Sequence, residues 1–527
     1  MGVSPASPPT VQQRTACSLD CFDACGMLAT AEDDRLVGLR GDPEHPITRG
    51  ALCKKVNRYL ETRQYSPERV THPLRRTRSG WRRVSWPEAV DEAATQLDEA
   101  RARSGSLSVL WHRGNGSYGA LKWVLLPRFF NLFGGATEAV GRFCGGEGDL
   151  GTRQSFGDCR IHDPRDLAEH SDLLVIWGRN PAVTNIHLMP VLKEVRARGG
   201  LTVLVDPVRT KTANYVDHVV HPRPGTDAWL AAGVARILLD EGMVDGALLG
   251  LAGGAEDYVA AVGGPSLEDV AERTGVGVAT MRWLAELLVT RRPASILQGI
   301  GLQQFERGAE MFRFISALGF LTGNVGVPGG GVNFITLPWG HLRTPEITAA
   351  EARTVPERTA PISRLGEVLP ALDDPPVRAA LFMSGNPVNQ MPDPRGFRAA
   401  LDRLDFRVCV DRFLTDTAEA CDLFLPATTM LEEYDYVPSY GHLWVQLQRP
   451  VVPPLGESKP DLEILQLLAE RFGFGERMAG TGPEWVDRVT EPFRAQGVSY
   501  AALEAAGGRL WPAGLDPVPW RDGRFAT

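Results

Sequence analysis

Two short runs, Leu173-Leu174-Val175-Ile176-Trp177 and Leu201-Thr202-Val203-Leu204-Val205, are almost wholly apolar. Between them, residues 186–198 repeat apolar positions at helical spacing. Strand-length apolar runs on either side of a helix predict a βαβ unit whose parallel strands are buried on both faces. The alternation continues with helices near 228–241 and 278–291 and a strand at 294–299. A second series follows, with strands at 379–384, 407–411 and 423–426. Its first strand ends at Gly385-Asn386-Pro387, which echoes Gly178-Arg179-Asn180-Pro181 and predicts a second, related α/β lobe. In open α/β sheets, ligands sit beyond the carboxyl ends of the strands. The segments 178–181 and 206–210 are therefore candidate binding loops.

The flanking text is more varied. Residues 27–41 alternate around Asp33-Asp34 and predict a hairpin. Ser85-Trp86-Pro87-Glu88-Ala89 carries the signals of a helix start, and an amphipathic helix runs from there to about 103. A strand at 107–111 and a helix at 121–133 follow. Pro328-Gly329-Gly330-Gly331 is a turn, and 337–375, rich in Pro, Arg and Thr, reads as a segment winding over the surface. Residues 54–83 hold ten Lys or Arg against Glu61 and Glu68, which reads as a solvated basic face or as a docking site for phosphate or a partner. A chain of 527 residues exceeds one ordinary domain, and about three are expected. With 43% apolar and 23% charged residues the composition is globular, and a net charge of −8 argues against nucleic acid. No apolar run reaches membrane-spanning length. Residues 1–9 read as a disordered tail without a twin-arginine pair or an apolar leader segment.

Cysteine spacing adds chemistry. Cys17, Cys21 and Cys25 lie four apart, and Cys53 returns after the predicted hairpin. Thiolates are soft ligands for iron–sulfur clusters and zinc. Structural zinc usually takes two close pairs of ligands. Three clustered thiols plus one remote thiol suit a [4Fe–4S] cluster better, with zinc as the alternative. A disulfide framework does not suit a chain of this length with eight cysteines and no secretory signal.

Six stretches then fall in order: Cys53-Lys54-Lys55, Trp177-Gly178-Arg179-Asn180-Pro181, Asp206-Pro207-Val208-Arg209-Thr210, Arg223-Pro224-Gly225-Thr226-Asp227, Leu321-Thr322-Gly323-Asn324 and Asp411-Arg412-Phe413-Leu414-Thr415-Asp416-Thr417. With the cysteines, they resemble the molybdopterin oxidoreductases of the dimethyl-sulfoxide-reductase superfamily, above all the formate dehydrogenase-like and polysulfide reductase-like catalytic subunits. The resemblance runs from about residue 15 to the end. It implies a multi-domain α/β fold with a small N-terminal Fe–S domain and two Rossmann-like lobes. The domains expected are 12–66 for the cluster, 67–138 with 325–440 as a discontinuous lobe, and 139–324 as a pterin dinucleotide lobe. The segment 441–527 would lead toward the family's further β-barrel-like domain, supplied by a separate chain or lost.

The implied cofactors are a [4Fe–4S] cluster on Cys17, Cys21, Cys25 and Cys53, and molybdenum or tungsten bis(molybdopterin guanine dinucleotide). Cys144, in Arg142-Phe143-Cys144-Gly145-Gly146-Glu147-Gly148, matches the family's metal ligand; its bland alternative is a buried structural thiol. Lys55 matches the lysine between cluster and pterin, and Arg313 the substrate-anion arginine of the formate enzymes. Either could instead be an ordinary surface cation. Gly178, Asn180, Thr184, Asp206, Arg209, Thr210, Lys211 and Asp227 match one dinucleotide site. Gly385, Asn386, Asp411, Thr415 and Thr417 match the other. His187 and His442 read as structural residues or pterin contacts, and Cys159, Cys409 and Cys421 as core cysteines. The activity implied is two-electron chemistry on a small substrate, with electrons passing through the cluster to a carrier protein or Fe–S subunit. Formate oxidation is one alternative, against which Gly145 stands where formate enzymes carry histidine. Another is a non-catalytic electron-transfer or scaffold subunit, and a third an apo fragment left by a gene break. Relatives that work outside the cytoplasmic membrane usually carry a twin-arginine signal, so a cytoplasmic location is expected.

Overall fold

The computed structural model describes residues 10–244, 253–336 and 339–525, so the tail expected at 1–9 lies outside them. The chain begins with an antiparallel sheet of β1 (Thr10–Ala16), β2 (Gly26–Glu32) and β3 (Arg35–Gly41). Asp33 and Asp34 close the expected hairpin with φ of 45° and 59°. Asp tolerates this region because its short side chain can bond locally. β1 and β2 pair from Thr10 opposite Glu32 to Ala16 opposite Gly26, so residues 17–25 leave the sheet as a loop. The Cys17 N–H donates to Cys25 O at 2.9 Å and closes that loop.

The basic run 54–83 is not one solvated face. Arg69 turns inward, and both it and Glu432 are fully buried as an ion pair. Arg58, Arg75, Arg76 and Arg83 pair with Glu61, Glu92, Glu419 and Glu457 nearer the surface.

Four strands come next: β4 (Leu74–Thr77), β5 (Gly80–Arg83), β6 (Val109–Arg113) and β7 (Thr137–Val140). The chain then builds β8 (Leu173–Trp177), β9 (Leu201–Val205), β10 (His218–Val220), β11 (Ala294–Gln298) and β12 (Val332–Asn333). It returns with β13 (Arg358–Pro361), β14 (Ala379–Met383), β15 (Phe406–Asp411) and β16 (Leu423–Pro426). β8 to β12 form a parallel sheet in the order β10-β9-β8-β11-β12. Alternate residues of β8 serve opposite faces. Leu173 and Val175 join the core shared with the helix Asp227–Asp240, whereas Leu174 and Ile176 meet Leu188 and Val191 of the helix Leu188–Ala197. This double burial explains the unbroken apolar runs.

The other large sheet runs β13-β7-β6-β14-β15-β16-β4-β5, parallel except for β4 and β5. The helix Trp86–Ser104 packs on it, opened by a reciprocal cap between Ser85 and Glu88. The expectation of a surface wind at 337–375 fails in part. β13 pairs with β7 at the sheet edge with Ala360 fully buried, and the helix Leu365–Ala371 packs on Pro394–Leu401. Four residues ending in proline are too short to show periodicity, and the partner strand is remote in sequence. A last sheet, β17 (Asp435–Val437), β18 (Val445–Gln448) and β19 (Arg509–Leu510), lies beside β1. Cys159, Cys409 and Cys421 are buried, as expected of core thiols. No described helix is long and apolar enough to cross a membrane.

Candidate functional site

Cys17 directly follows β1, Cys25 precedes β2, and Cys21 lies on the loop between them. Gly41 and Gly50 bring back the fourth thiol. Their backbones approach so closely that a Cβ on Gly41 would collide with Gly50 O. That contact folds 42–53 against the hairpin and leaves Cys53 capping the helix Lys54–Asn57. Cys17 and Cys25 are buried, Cys21 and Cys53 half-buried, and none is disulfide-bonded.

The donor set fits a cluster better than a single ion. Among the described residues, no three His, Cys, Asp or Glu side chains converge on a point that could hold one metal ion. Zinc requires such convergence, at Zn–S distances of about 2.3 Å. A cubane is held at its separated corners. Burial pushes the Cys17 thiol up to about 12. Cys25 is raised by burial and then by Cys17, Asp23, Cys21 and Cys53. These thiols share one electrostatic field, which a bound cationic cluster would relieve by taking them as thiolates.

One cavity of about 470 Å³ is lined by all four cysteines and also by Lys55, Cys144 and Thr184. Cys144 lies just before the helix Gly146–Phe156, where the partial positive charge of a helix N-terminus favours an anion. Burial, with Asp20 adding and Arg142 opposing, pushes its thiol up to about 11. The loop is pinned from the turn that follows β11: Gln303 and Gln304 donate to Phe143 O at 3.1 and 2.8 Å, and Gln303 Oε1 accepts from the Gly148 N–H at 2.8 Å. Sequence reading did not single out either glutamine.

The candidate cluster loop, residues 17–25, is held from outside its own sheet. Asp23 accepts from Asn185 Nδ2 and lies 3.0 Å from His187 Nδ1. Burial opposes charge on His187, but the Asp23 carboxylate outweighs it and raises the imidazole pKa. His442 Nε2 is 2.8 Å from Asp23 O. Ser439 Oγ and the Gly441 N–H donate to Phe22 O, and Gln446 Nε2 donates to Ala24 O. Both histidines thus brace the cluster loop.

The two candidate dinucleotide loops share one construction. After β8 come Gly178 at φ 64°, Arg179, and Asn180 at the cap of the turn Pro181–Thr184. After β14 come Ser384 at φ 58°, Gly385, and Asn386 at the cap of Pro387–Gln390. The caps have φ, ψ of −119°, 71° and −116°, 65°. Asn180 Oδ1 accepts from Thr212 Oγ1 at 2.8 Å, and Thr212 Oγ1 accepts from the Ala182 N–H at 3.2 Å. Asn386 Oδ1 accepts from Thr417 Oγ1 at 2.8 Å, and Thr417 Oγ1 accepts from the Val388 N–H at 3.0 Å. Thr212 and Thr417 stand equally far after Asp206 and Asp411. Sequence reading named Thr417 and missed Thr212, although that spacing marked it.

The remaining candidates are placed as follows. Asp206 is mostly buried, and burial raises its pKa; its Oδ1 accepts from the Val208 N–H at 2.9 Å. Arg209 and Lys211 are exposed, and Thr210 Oγ1 is buried without a partner among the described residues. Asp227 turns away from the loops, accepting from Trp177 Nε1 at 2.8 Å in the core. Asp411 accepts from the Arg412 N–H at 2.6 Å, and Thr415 is half-buried. Arg313 is exposed on the helix Gly308–Leu321 and does not line the cavity.

The family model described as molybdopterin oxidoreductase matches residues 69–471, and that of the molybdopterin oxidoreductase Fe4S4 domain matches 11–64. A probable oxidoreductase of Bacillus subtilis, YyaE, is 35% identical over 98% of this chain and 76% of its own length. Formate dehydrogenase H of Escherichia coli is 24% identical over 93% of this chain and 73% of its own. Among solved structures, acetylene hydratase from Pelobacter acetylenicus superposes with a TM-score of 0.80 at 23% identity, covering 95% of this chain and 74% of that one, which shows the shared fold. The chain therefore belongs to the molybdopterin oxidoreductase family, as a molybdopterin-dependent oxidoreductase with a [4Fe–4S] cluster and a molybdenum or tungsten pterin cofactor.

Proposed function

We propose that this chain is a catalytic subunit that passes two electrons between a small substrate and an external carrier through its [4Fe–4S] cluster. The observation that carries the reading is the single cavity shared by the four cysteines, Lys55 and Cys144. Cys17, Cys21, Cys25 and Cys53 hold the cluster. Cys144 would give the metal an anionic, soft thiolate donor. The bound metal and its pterins supply oxo transfer or hydride-type oxidation. Lys55 contributes a cation to the wall of the cavity that both thiol sets line. The paired loops at 178–184 with 206–212 and at 384–390 with 411–417 support two dinucleotides rather than one, because the same staple is built twice. Cys21 and Cys53 are the half-exposed corners of the cluster site, so a carrier protein docks on that side. A formate dehydrogenase reading draws less support: Gly145 brings no imidazole and Arg313 is exposed.

The test is elemental analysis of anaerobically purified protein, wild type against Cys144→Ala. The wild type should carry about four iron and about one molybdenum or tungsten per chain, and oxidise or reduce substrates with a viologen dye. C144A should keep its iron and lose dye-linked turnover. Four iron without molybdenum or tungsten in the wild type, or full turnover by C144A, would defeat the reading.

A further inference from the structure

We propose that Arg179 is a positioning residue that sets the reduction potential of the [4Fe–4S] cluster and couples it to the first dinucleotide loop. The inference rests on the assignment of Cys17, Cys21, Cys25 and Cys53 as cluster ligands.

Arg179 follows Gly178 at the end of β8, yet its side chain runs inward and is only 9% exposed. Its guanidinium carbon lies 4.2 Å from the ring centroid of Phe22, the residue directly after Cys21. One Nη donates to Asn185 Oδ1 at 2.6 Å, and Asn185 in turn bonds Asp23. Nε is buried with no partner among the described residues. A cavity of about 30 Å³ beside it, bordered also by Asp23 and His162, has room for one water. Such a water satisfies Nε but brings no charge.

The counter-charge is scarce. Among the described residues the carboxylate acting on Arg179 is Asp23, which already serves Asn185 and His187 and lies 3.6 Å from Cys21 Sγ. A buried cation with a shared anion is costly unless another negative group completes it. A cluster held by four thiolates is that group, and it becomes more negative when reduced. Arg179 stabilises the reduced state more than the oxidised one, which raises the potential. Lys55 is exposed, so water and salt screen it, whereas Arg179 acts in a medium of low dielectric. Arg179 also stands next to Asn180, so any shift of the dinucleotide loop moves this charge relative to the cluster.

The experiment is a redox titration of the cluster by electron paramagnetic resonance, with iron per chain measured on every sample. Arg179→Gln should shift the midpoint to more negative potential with iron unchanged, and Arg179→Lys should recover most of the shift. R179Q at the wild-type potential with full iron would overturn the proposal. Should R179Q lose its cluster, Asn185→Ala gives a second reading, because it removes the bond that fixes the guanidinium beside Phe22 and lets the charge withdraw from the cluster. A negative shift in N185A supports the proposal, and a wild-type midpoint there overturns it. Absence of iron from the wild type would defeat the ligand assignment instead, a separate outcome.

Discussion

Asp435 lends itself to a quantitative test of buried charge. Its carboxylate opens β17 and is fully buried. Oδ1 accepts from the Leu121 and Tyr436 N–H groups, each at 2.8 Å. Oδ2 has no partner among the described residues and is closed off by Gly119. The nearby ammonium of Lys122 is already held by Glu433 at 2.9 Å and Asp461 at 2.8 Å. One cation therefore faces three carboxylates. Burial is the largest effect on Asp435; with Glu433 it outweighs Lys122 and the two backbone donors and raises the pKa to about 7. The folded chain keeps a proton that the unfolded chain releases near pH 4. Stability from this group is complete below that value, falls as pH rises toward about 7, and is fully lost above it. At about 1.4 kcal/mol per unit the loss across the window is about 4 kcal/mol. Asp435→Asn cannot ionise and escapes the loss. Its amide N–H groups find no acceptor beside Gly119, a cost of about 1–3 kcal/mol that does not vary with pH. Urea unfolding of both proteins, followed by circular dichroism from about pH 4.5 to 8.5 at fixed ionic strength, isolates the effect, because other titrating groups cancel in the difference. D435N should be the less stable protein at the acid end and the more stable one at pH 8. Parallel curves would refute the argument.

Three further outcomes are expected. Arg69→Met leaves Glu432 buried without its guanidinium and should cost about 3–5 kcal/mol, read as earlier thermal loss of the cluster's visible absorbance; an unchanged transition would count against the buried pair. Thr212→Val removes the hydroxyl that bridges Asn180 and Ala182, about 1–2 kcal/mol of local order. Pterin content should fall while iron stays constant, and a parallel fall in both would show that the staple is not local. Gly41→Ala pushes the Gly50 carbonyl away and displaces Cys53, so iron per chain should drop while secondary structure persists; full iron would contradict the close approach.

The parts legible in the sequence are those whose causes are local. β8 and β9 fall on the apolar runs 173–177 and 201–205, and Ser85 with Glu88 marks the start of its helix. The candidate cluster cysteines and the Asn-Pro loops stand out because their spacing itself points to the chemistry. What escaped depends on partners far along the chain. β13 needs β7, Arg69 needs Glu432, and Asp227 is claimed by Trp177. Arg313 is a different case. Met311, Phe312 and Ile315 are buried, so the helical period alone turns residue 313 outward, and that signal was present in the sequence.

The bracing of the cluster loop has a consequence for assembly. Phe22 O, Asp23 O and Ala24 O take their donors from Ser439, His442 and Gln446, which lie 417, 419 and 422 residues further along the chain. At a synthesis rate of about 5–20 residues per second, roughly 20–85 s separate the emergence of these thiols from that of their supports. During that interval the three proposed ligands Cys17, Cys21 and Cys25 would wait on a loop whose carbonyls are unanchored, open to oxygen and to competing metals. Iron–sulfur insertion would thus wait for a chain synthesised past about residue 446, and a ribosome stalled before residue 439 would release four cysteines without a completed cradle.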